Sequence, residues 1–165
     1  MNAFVFLTVL LSSTYCTYGQ GVRQEVAFSV GLTHHLNLTG SQTVVYDEII
    51  TNIGAAYDLD SGFFKCPMSG IYVFQFHALS RSDRTVYLQL HHNYNYVVSI
   101  WSHTNGEFAA GGNSAILHLT KGDTVSIKSV SGYSNSLFGK PDEVYCTFSG
   151  YMISVVFEEM PIIGK

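Results

Sequence analysis

Apolar and polar positions alternate with a period of two along most of this chain. In Gly70 to His77, Tyr72, Phe74 and Phe76 fall on one face, and Ile71, Val73, Gln75 and His77 on the other, because successive side chains of an extended segment point to opposite sides. The same alternation sets Val86, Leu88 and Leu90 against Tyr87, Gln89 and His91. It also sets Ala115, Leu117 and Leu119 against Ser114, Ile116 and His118, and Val125 and Ile127 against Thr124, Ser126 and Lys128. These are half-buried strands with one wet face. Turn signals separate them: Asp60-Ser61-Gly62, Ser80 to Arg84, Asn93 to Asn95, Asn105-Gly106, Lys121-Gly122-Asp123 and Ser131 to Asn135. No window of helical length carries an apolar stripe at the 3.6-residue period. The pattern predicts an all-β, two-sheet antiparallel sandwich or jelly roll.

The segment from Thr147 to Phe157 departs from that rule. Phe148, Gly150, Met152 and Val156 form one face, and Tyr151, Ile153, Val155 and Phe157 the other. Apolar residues on both faces predict that both are covered. A two-layer sandwich covers only one face of each sheet, and the chain has no spare segment for a third layer. A second subunit is therefore the expected cover over Tyr151 and Ile153.

Composition narrows the function. The 165 residues are 47% apolar, 14% aromatic and 12% charged, with a net charge of −4 and eight basic residues. Soluble domains carry roughly 25% charge, and so few cations leave no electrostatic footprint for nucleic acid. Such a chain is too apolar for disorder and of a length for one domain with a real core.

Ala3 to Leu11 is an apolar run of nine residues, too short to span a bilayer. It reads as the hydrophobic region of a signal peptide spanning residues 1–19, with small residues favouring cleavage after Gly19. A secreted, extracellular product without membrane insertion is expected. A short segment, residues 20–24, then leads into the domain at residues 25–157, followed by a tail at 158–165. Cys66 and Cys146 either pair in an oxidising compartment or stay buried as small hydrophobes. Asn37-Leu38-Thr39 is a sequon, which makes Asn37 a candidate for N-glycosylation.

Six motifs in order carry a family resemblance: Val26-Ala27-Phe28-Ser29; Asn52 to Asp58; Ser61-Gly62-Phe63-Phe64-Lys65-Cys66-Pro67; Gly70 to Phe74; Leu117 to Val125; and Thr147 to Tyr151. Together they resemble the globular head domain of complement C1q, over nearly all of the chain after the leader. The resemblance implies a ten-stranded jelly roll related to the tumour necrosis factor fold, a compact homotrimer, and a secreted module that binds without transforming its ligand. Phe28, Tyr57, Phe64, Tyr72, Phe74 and Phe148, each offering about 150–250 Å² of ring and stem, are core or interface residues on this reading. Many members carry a collagen stem of Gly-X-Y repeats, whereas only Gly19-Gln20-Gly21 stands here. The resemblance is thus to short, stemless invertebrate members, regarded as lectin-like proteins of innate immunity, and not to an initiator of the classical complement cascade.

No motif marks an enzyme: the chain lacks Gly-x-Ser-x-Gly, His-Glu-x-x-His, a phosphate-cradling loop and Cys-x-x-Cys. The pairs His34-His35 and His91-His92 look like metal tracts, but neighbours in a strand face opposite ways and do not readily chelate one ion, whereas a pair in a loop can. Asp58, Asp60 and Asp123 are scattered carboxylates, a weak calcium signal, and no cofactor is required. Recognition is expected on loops. His91 to Tyr96, Trp101 to Glu107 and Gly132 to Ser136 combine rings with amides and hydroxyls, which suits saccharides, whose C–H faces stack while their hydroxyls hydrogen-bond. The candidate ligand-binding residues are Tyr94, Tyr96, Trp101, Asn105, Tyr133 and Asn135, with Arg81 and Arg84 for anionic groups. The opposing expectation is an ordinary polar loop set, with Trp101 packed inward. Two functions follow: a trimeric, lectin-like pattern-recognition protein for glycan or microbial surfaces, or a secreted protein-binding ligand or matrix component using the trimer surface.

Overall fold

The computed structural model describes residues 25–82 and 84–156. The expected leader at 1–19, the segment at 20–24, Asp83, Phe157 and the tail at 158–165 lie outside the described residues. Twelve strands are present and no helix among the described residues: β1 (Ala27–Gly31), β2 (Leu36–Thr39), β3 (Glu48–Ile53), β4 (Tyr57–Asp58), β5 (Phe63–Lys65), β6 (Gly70–Leu79), β7 (Val86–His92), β8 (Asn95–Ser102), β9 (Ala110–Leu119), β10 (Thr124–Ser129), β11 (Ser134–Leu137) and β12 (Thr147–Val155).

Ten of them form two five-stranded antiparallel sheets, ordered β3-β1-β12-β6-β9 and β4-β5-β10-β7-β8, and β2 pairs with β11 as a separate ribbon. The aromatic face of β6 makes the core, as its alternation predicts. Tyr72, Phe74 and Phe76 are fully buried, and Phe28, Tyr57, Phe64 and Phe148 join them. Phe28 stacks on Tyr57 and Phe64 at 5.3 and 5.4 Å between ring centroids and meets Phe148 edge-on at 4.9 Å. These rings come from both sheets, so one cluster ties the layers together. Each buried ring contributes about 1.5–3 kcal/mol. Gly150 makes the packing possible, since a Cβ there would sit 2.7 Å from ring carbons of both Phe28 and Phe74.

The outward face of the first sheet is apolar in one row. Ile53, Ala27, Tyr151, Val73 and Ile116 are successive cross-strand partners from β3 to β9. Ile53, Tyr151 and Ile116 are 47, 49 and 68% exposed in the single chain, an arrangement that normally marks an interaction surface. Ile153 is also exposed. A register shift between Met152 and Ser154 breaks the alternation there, so Ile153, Ser154 and Val155 are all exposed, where strict alternation predicts an inward residue between two outward ones.

The thiols of Cys66 and Cys146 are free and buried. Cys66 Sγ donates to the Met68 carbonyl at 3.0 Å, while Cys146 Sγ accepts the Leu79 N–H at 3.3 Å. Burial pushes the Cys146 pKa up to about 11, so it behaves as a core hydrophobe.

Candidate functional site

The second sheet presents its outer face along β7 and β8. Tyr87 lies opposite Trp101, and His91 opposite Tyr96. Inward positions of the same strands, Leu88, Leu90 and Ile100, are buried, so the aromatic residues point away from the core. Trp101 is 59% exposed and Tyr96 57%. Trp101 therefore does not pack inward. Tyr133, in the β10–β11 turn, meets Tyr87 edge-on at 5.1 Å. A strip of rings thus runs Tyr133, Tyr87, Trp101, with His103 beside Trp101 at 6.2 Å. Tyr96 continues the same face some four residues along β7, about 13 Å away, and takes a hydrogen bond from Ser99 Oγ at 3.0 Å.

All three expected loops are partly strand. Tyr96 and Trp101 belong to β8, and Asn135 to β11. An edge strand with one wet face carries the same rings, amides and hydroxyls as a loop, so composition alone does not separate them. Asn135 is a correction in substance as well. It is 1% exposed, its Oδ1 accepts the Tyr87 backbone N–H, and its Nδ2 reaches the Tyr133 carbonyl at 3.4 Å. Its amide joins β11 to β7 and is not offered to a ligand.

Tyr94 stands apart from the strip at the tip of the β7–β8 hairpin and is 93% exposed. The tip is fixed by Asn93, which adopts a left-handed φ of 55°, donates to Asp123 Oδ1 at 3.0 Å and accepts the Thr124 N–H at 2.9 Å. Asp123 also takes His92 Nε2 at 2.9 Å and the Thr120 N–H at 2.9 Å. The Asn93 amide, the Thr120 N–H and His92 together hold its carboxyl below the usual carboxylate range against the opposing effect of burial. Asn105 is exposed in the β8–β9 loop.

Arg81 and Arg84 lie at the end of β6, where Arg84 N–H donates to the Arg81 carbonyl at 3.1 Å and closes a tight turn. Both are exposed. They line two clefts, one shared with Asn37, Thr39, Ser134 and Ser136, the other with His35, Phe108 and Phe138. Asn37 is exposed on β2, and its Oδ1 accepts from Ser136 Oγ at 2.7 Å. Thr39 enters the sequence pattern only through the sequon and Ser136 only as the end of a polar stretch, while Phe108 and Phe138 carry no mark in the sequence. Their only signal is position beside turns and a ribbon whose partners are distant in the chain.

The histidine pairs split, His91 and His92 by the alternation of β7, and His34 and His35 within the bend between β1 and β2. His34 Nδ1 meets Asp47 at 2.7 Å while His35 Nδ1 accepts the Gly139 N–H at 3.1 Å. His91 Nε2 meets Gln89 at 3.1 Å, and burial and the Lys128 charge hold its pKa low. Asp58 is occupied by the Asp60 N–H and Ser61 Oγ. Among the described residues no group of three His, Cys, Asp or Glu side chains is placed to hold a metal ion.

A sequence profile of the C1q domain matches residues 27–153. The chain is 34% identical over 131 residues to mouse complement C1q tumor necrosis factor-related protein 3, covering 78% of this chain and 51% of that protein, and 33% identical over 131 residues to the human protein of that name, with the same coverage. It spans about half the length of these relatives. Among solved structures, the globular domain of zebrafish complement 1qA protein superposes with a TM-score of 0.63 at 26% identity, covering 79% of this chain and 99% of that one. Eiger TNF from S. frugiperda superposes with a TM-score of 0.67 at 13% identity, covering 84% and 98%, a likeness of fold alone. The order of the strands, the aromatic core and these matches agree: the chain belongs to the C1q-domain family.

Proposed function

We propose that the protein is a secreted, trimeric, lectin-like recognition module that binds glycans of microbial or other surfaces without transforming them. The observation that carries this reading is the outward strip Tyr133, Tyr87, Trp101 on the rigid second sheet. Exposed rings flanked by amides, hydroxyls and imidazoles offer flat faces for sugar C–H groups and donors and acceptors for their hydroxyls. The apolar row across the first sheet supports trimerisation, which would place the strip on the outside of the assembly, since the two faces lie on opposite sides of the sandwich. Several weak sites on one assembly then add through avidity.

The test is a glycan and microbial-ligand array probed with the purified protein, with and without calcium, alongside Trp101→Ala and Tyr133→Ala variants. Both side chains are exposed, so the variants are expected to fold. Binding should fall at least tenfold in each. Undiminished binding in both removes the strip from the recognition surface. An empty array together with recovery of a single receptor or matrix protein would favour the protein-binding reading instead.

A further inference from the structure

Two apolar belts cross the outward face of the first sheet, one toward each end. The first is the row Ile53, Ala27, Tyr151, Val73, Ile116. The second lies at the far end of β6, where Leu79 is the cross-strand partner of Ala110 and its carbonyl accepts the Phe138 N–H at 2.8 Å. Phe138 there meets Tyr145 at 5.6 Å and Phe108 at 5.7 Å between ring centroids, and Tyr145 and Phe108 are both half exposed. Between the belts, from β1 to β9, no outward position carries a fixed charge. Ser29, Ser149, Gln75 and Ser114 are successive partners in one row, with the Ser29 and Ser149 hydroxyls 2.8 Å apart. Gly31, Thr147, His77 and Gly112 form the next. A cover that reaches both belts also covers what lies between them.

His77 is the titratable side chain of that middle zone. Its imidazole sits over Gly112, where a Cβ would stand 2.3 Å from its Cδ2 and 3.0 Å from its Nε2, so the glycine makes room for the ring. No carboxylate of the face is beside it. Glu48 closes the same row on β3, three strand spacings or roughly 14 Å away. Asp47 is occupied by Thr33 and His34, and in the segment leading into β12 Asp142 and Glu143 pair with Lys140. Arg81 follows the end of β6, Glu107 precedes β9, and His118 lies six residues from Gly112 along β9, roughly 20 Å away.

We propose that His77 makes assembly through this face acid-labile: the copies stay together while its imidazole is neutral and separate when it takes a proton. The inference rests on the trimer reading, which supplies the cover. An imidazolium under that cover would lose its water with no carboxylate of its own face to pair with, which is costly. In a separated chain His77 is exposed and its charge is hydrated. Protons therefore bind the separated chains more readily than the assembly, and a fall in pH drives dissociation. Histidine is the side chain that ordinarily changes charge between about pH 5 and 8. Separation ends avidity, so a surface held at neutral pH is released in acid.

The experiment is sedimentation of the purified protein at micromolar concentration, at about pH 7.4 and about pH 5, with a β-sheet spectrum recorded at each. Both conditions lie above the ordinary carboxylate range near about pH 4. The wild type should sediment as a trimer at the higher pH, with its dissociation midpoint at least tenfold higher in concentration at the lower one and the spectrum unchanged. His77→Gln, neutral throughout, should remain a trimer at both. His77→Lys should sediment as single chains at both, and His118→Gln should behave as the wild type. Each altered side chain is exposed in the single chain, so these variants are expected to fold. A wild-type trimer that persists at the lower pH, a His77→Gln protein that dissociates there as the wild type does, or a trimeric His77→Lys protein would each overturn the proposal. Loss of the response in His118→Gln would do the same by moving the switch to that residue. Wild-type single chains already at the higher pH would refute the trimer reading itself, so the two failures are told apart.

Discussion

Asn37 Oδ1 accepts a hydrogen bond from Ser136 Oγ at 2.7 Å, and that pair lies in the wall of the polar cleft beside Arg81 and Arg84. The sequon therefore stands in the wall of a cleft that Arg81 and Arg84 also line. An oligosaccharide attached to Asn37 starts in that wall.

Glycosylation at Asn37 should leave the bond from Ser136 in place, because the sugar attaches at Nδ2 and Oδ1 remains an acceptor. Protein secreted from a eukaryotic host should carry one glycan that Asn37→Gln removes, seen as a mass shift. An unchanged mass in the variant would show that Asn37 is not modified.

The row Ile53, Ala27, Tyr151, Val73, Ile116 gives a test of assembly. Charges at the core of an interface are strongly disfavoured. Ile116→Lys combined with Tyr151→Lys should reduce the sedimenting mass from a trimer to a single chain, with the β-sheet spectrum preserved because both residues are exposed in that chain. A wild-type protein that sediments as a monomer at micromolar concentration would refute the interface.

Two core substitutions should move stability in opposite directions. Gly150→Ala forces a methyl group against Phe28 and Phe74 and should destabilise the fold by about 1–3 kcal/mol. Tyr46 is 1% exposed, and its hydroxyl has no hydrogen-bond partner among the described residues. Tyr46→Phe removes a buried group that has lost its water and should stabilise by about 1 kcal/mol. Urea unfolding, read as a change of midpoint at constant slope, measures both.

Acid should weaken the clamp between the β7–β8 and β9–β10 turns. The Asp123 carboxyl is held below its ordinary value by Asn93, Thr120 and His92, so the folded state releases its proton at lower pH than the unfolded chain, whose aspartates titrate near about 3.9. The resulting stability is present above about pH 4 and is lost as pH falls through the folded value. The lowered Asp47 and Asp58 act in the same direction. The urea midpoint should decline below about pH 4. Asp123→Asn should lower stability at pH 7 and flatten part of that decline, and an unchanged acid slope in the variant would remove Asp123 as a cause.

What the sequence determined by itself is what depends on nearest neighbours along the chain. A period of two is a property of the extended backbone, so β6, β7, β10 and the aromatic core facing Phe74 were legible before any fold was known. The apolar outer face of β12 was equally legible at Tyr151 and Ile153, and the order of six motifs carried the family. Tertiary structure decided which distant segments meet. Asn135 reads as a loop amide in sequence, yet β11 crosses to β2 and β7 and buries it. Trp101 and Tyr96 read as loop residues, yet they stand on an edge strand, where one solvated face permits the same composition as a loop. Arg81 and Arg84 were visible as a charged turn. The residues that line clefts with them, Asn37, Ser136, Phe108 and Phe138, come from three separate stretches that only the β2–β11 ribbon and the β8–β9 loop bring to one place. Pairing across such separations is set by sheet topology and leaves no periodic mark on the chain.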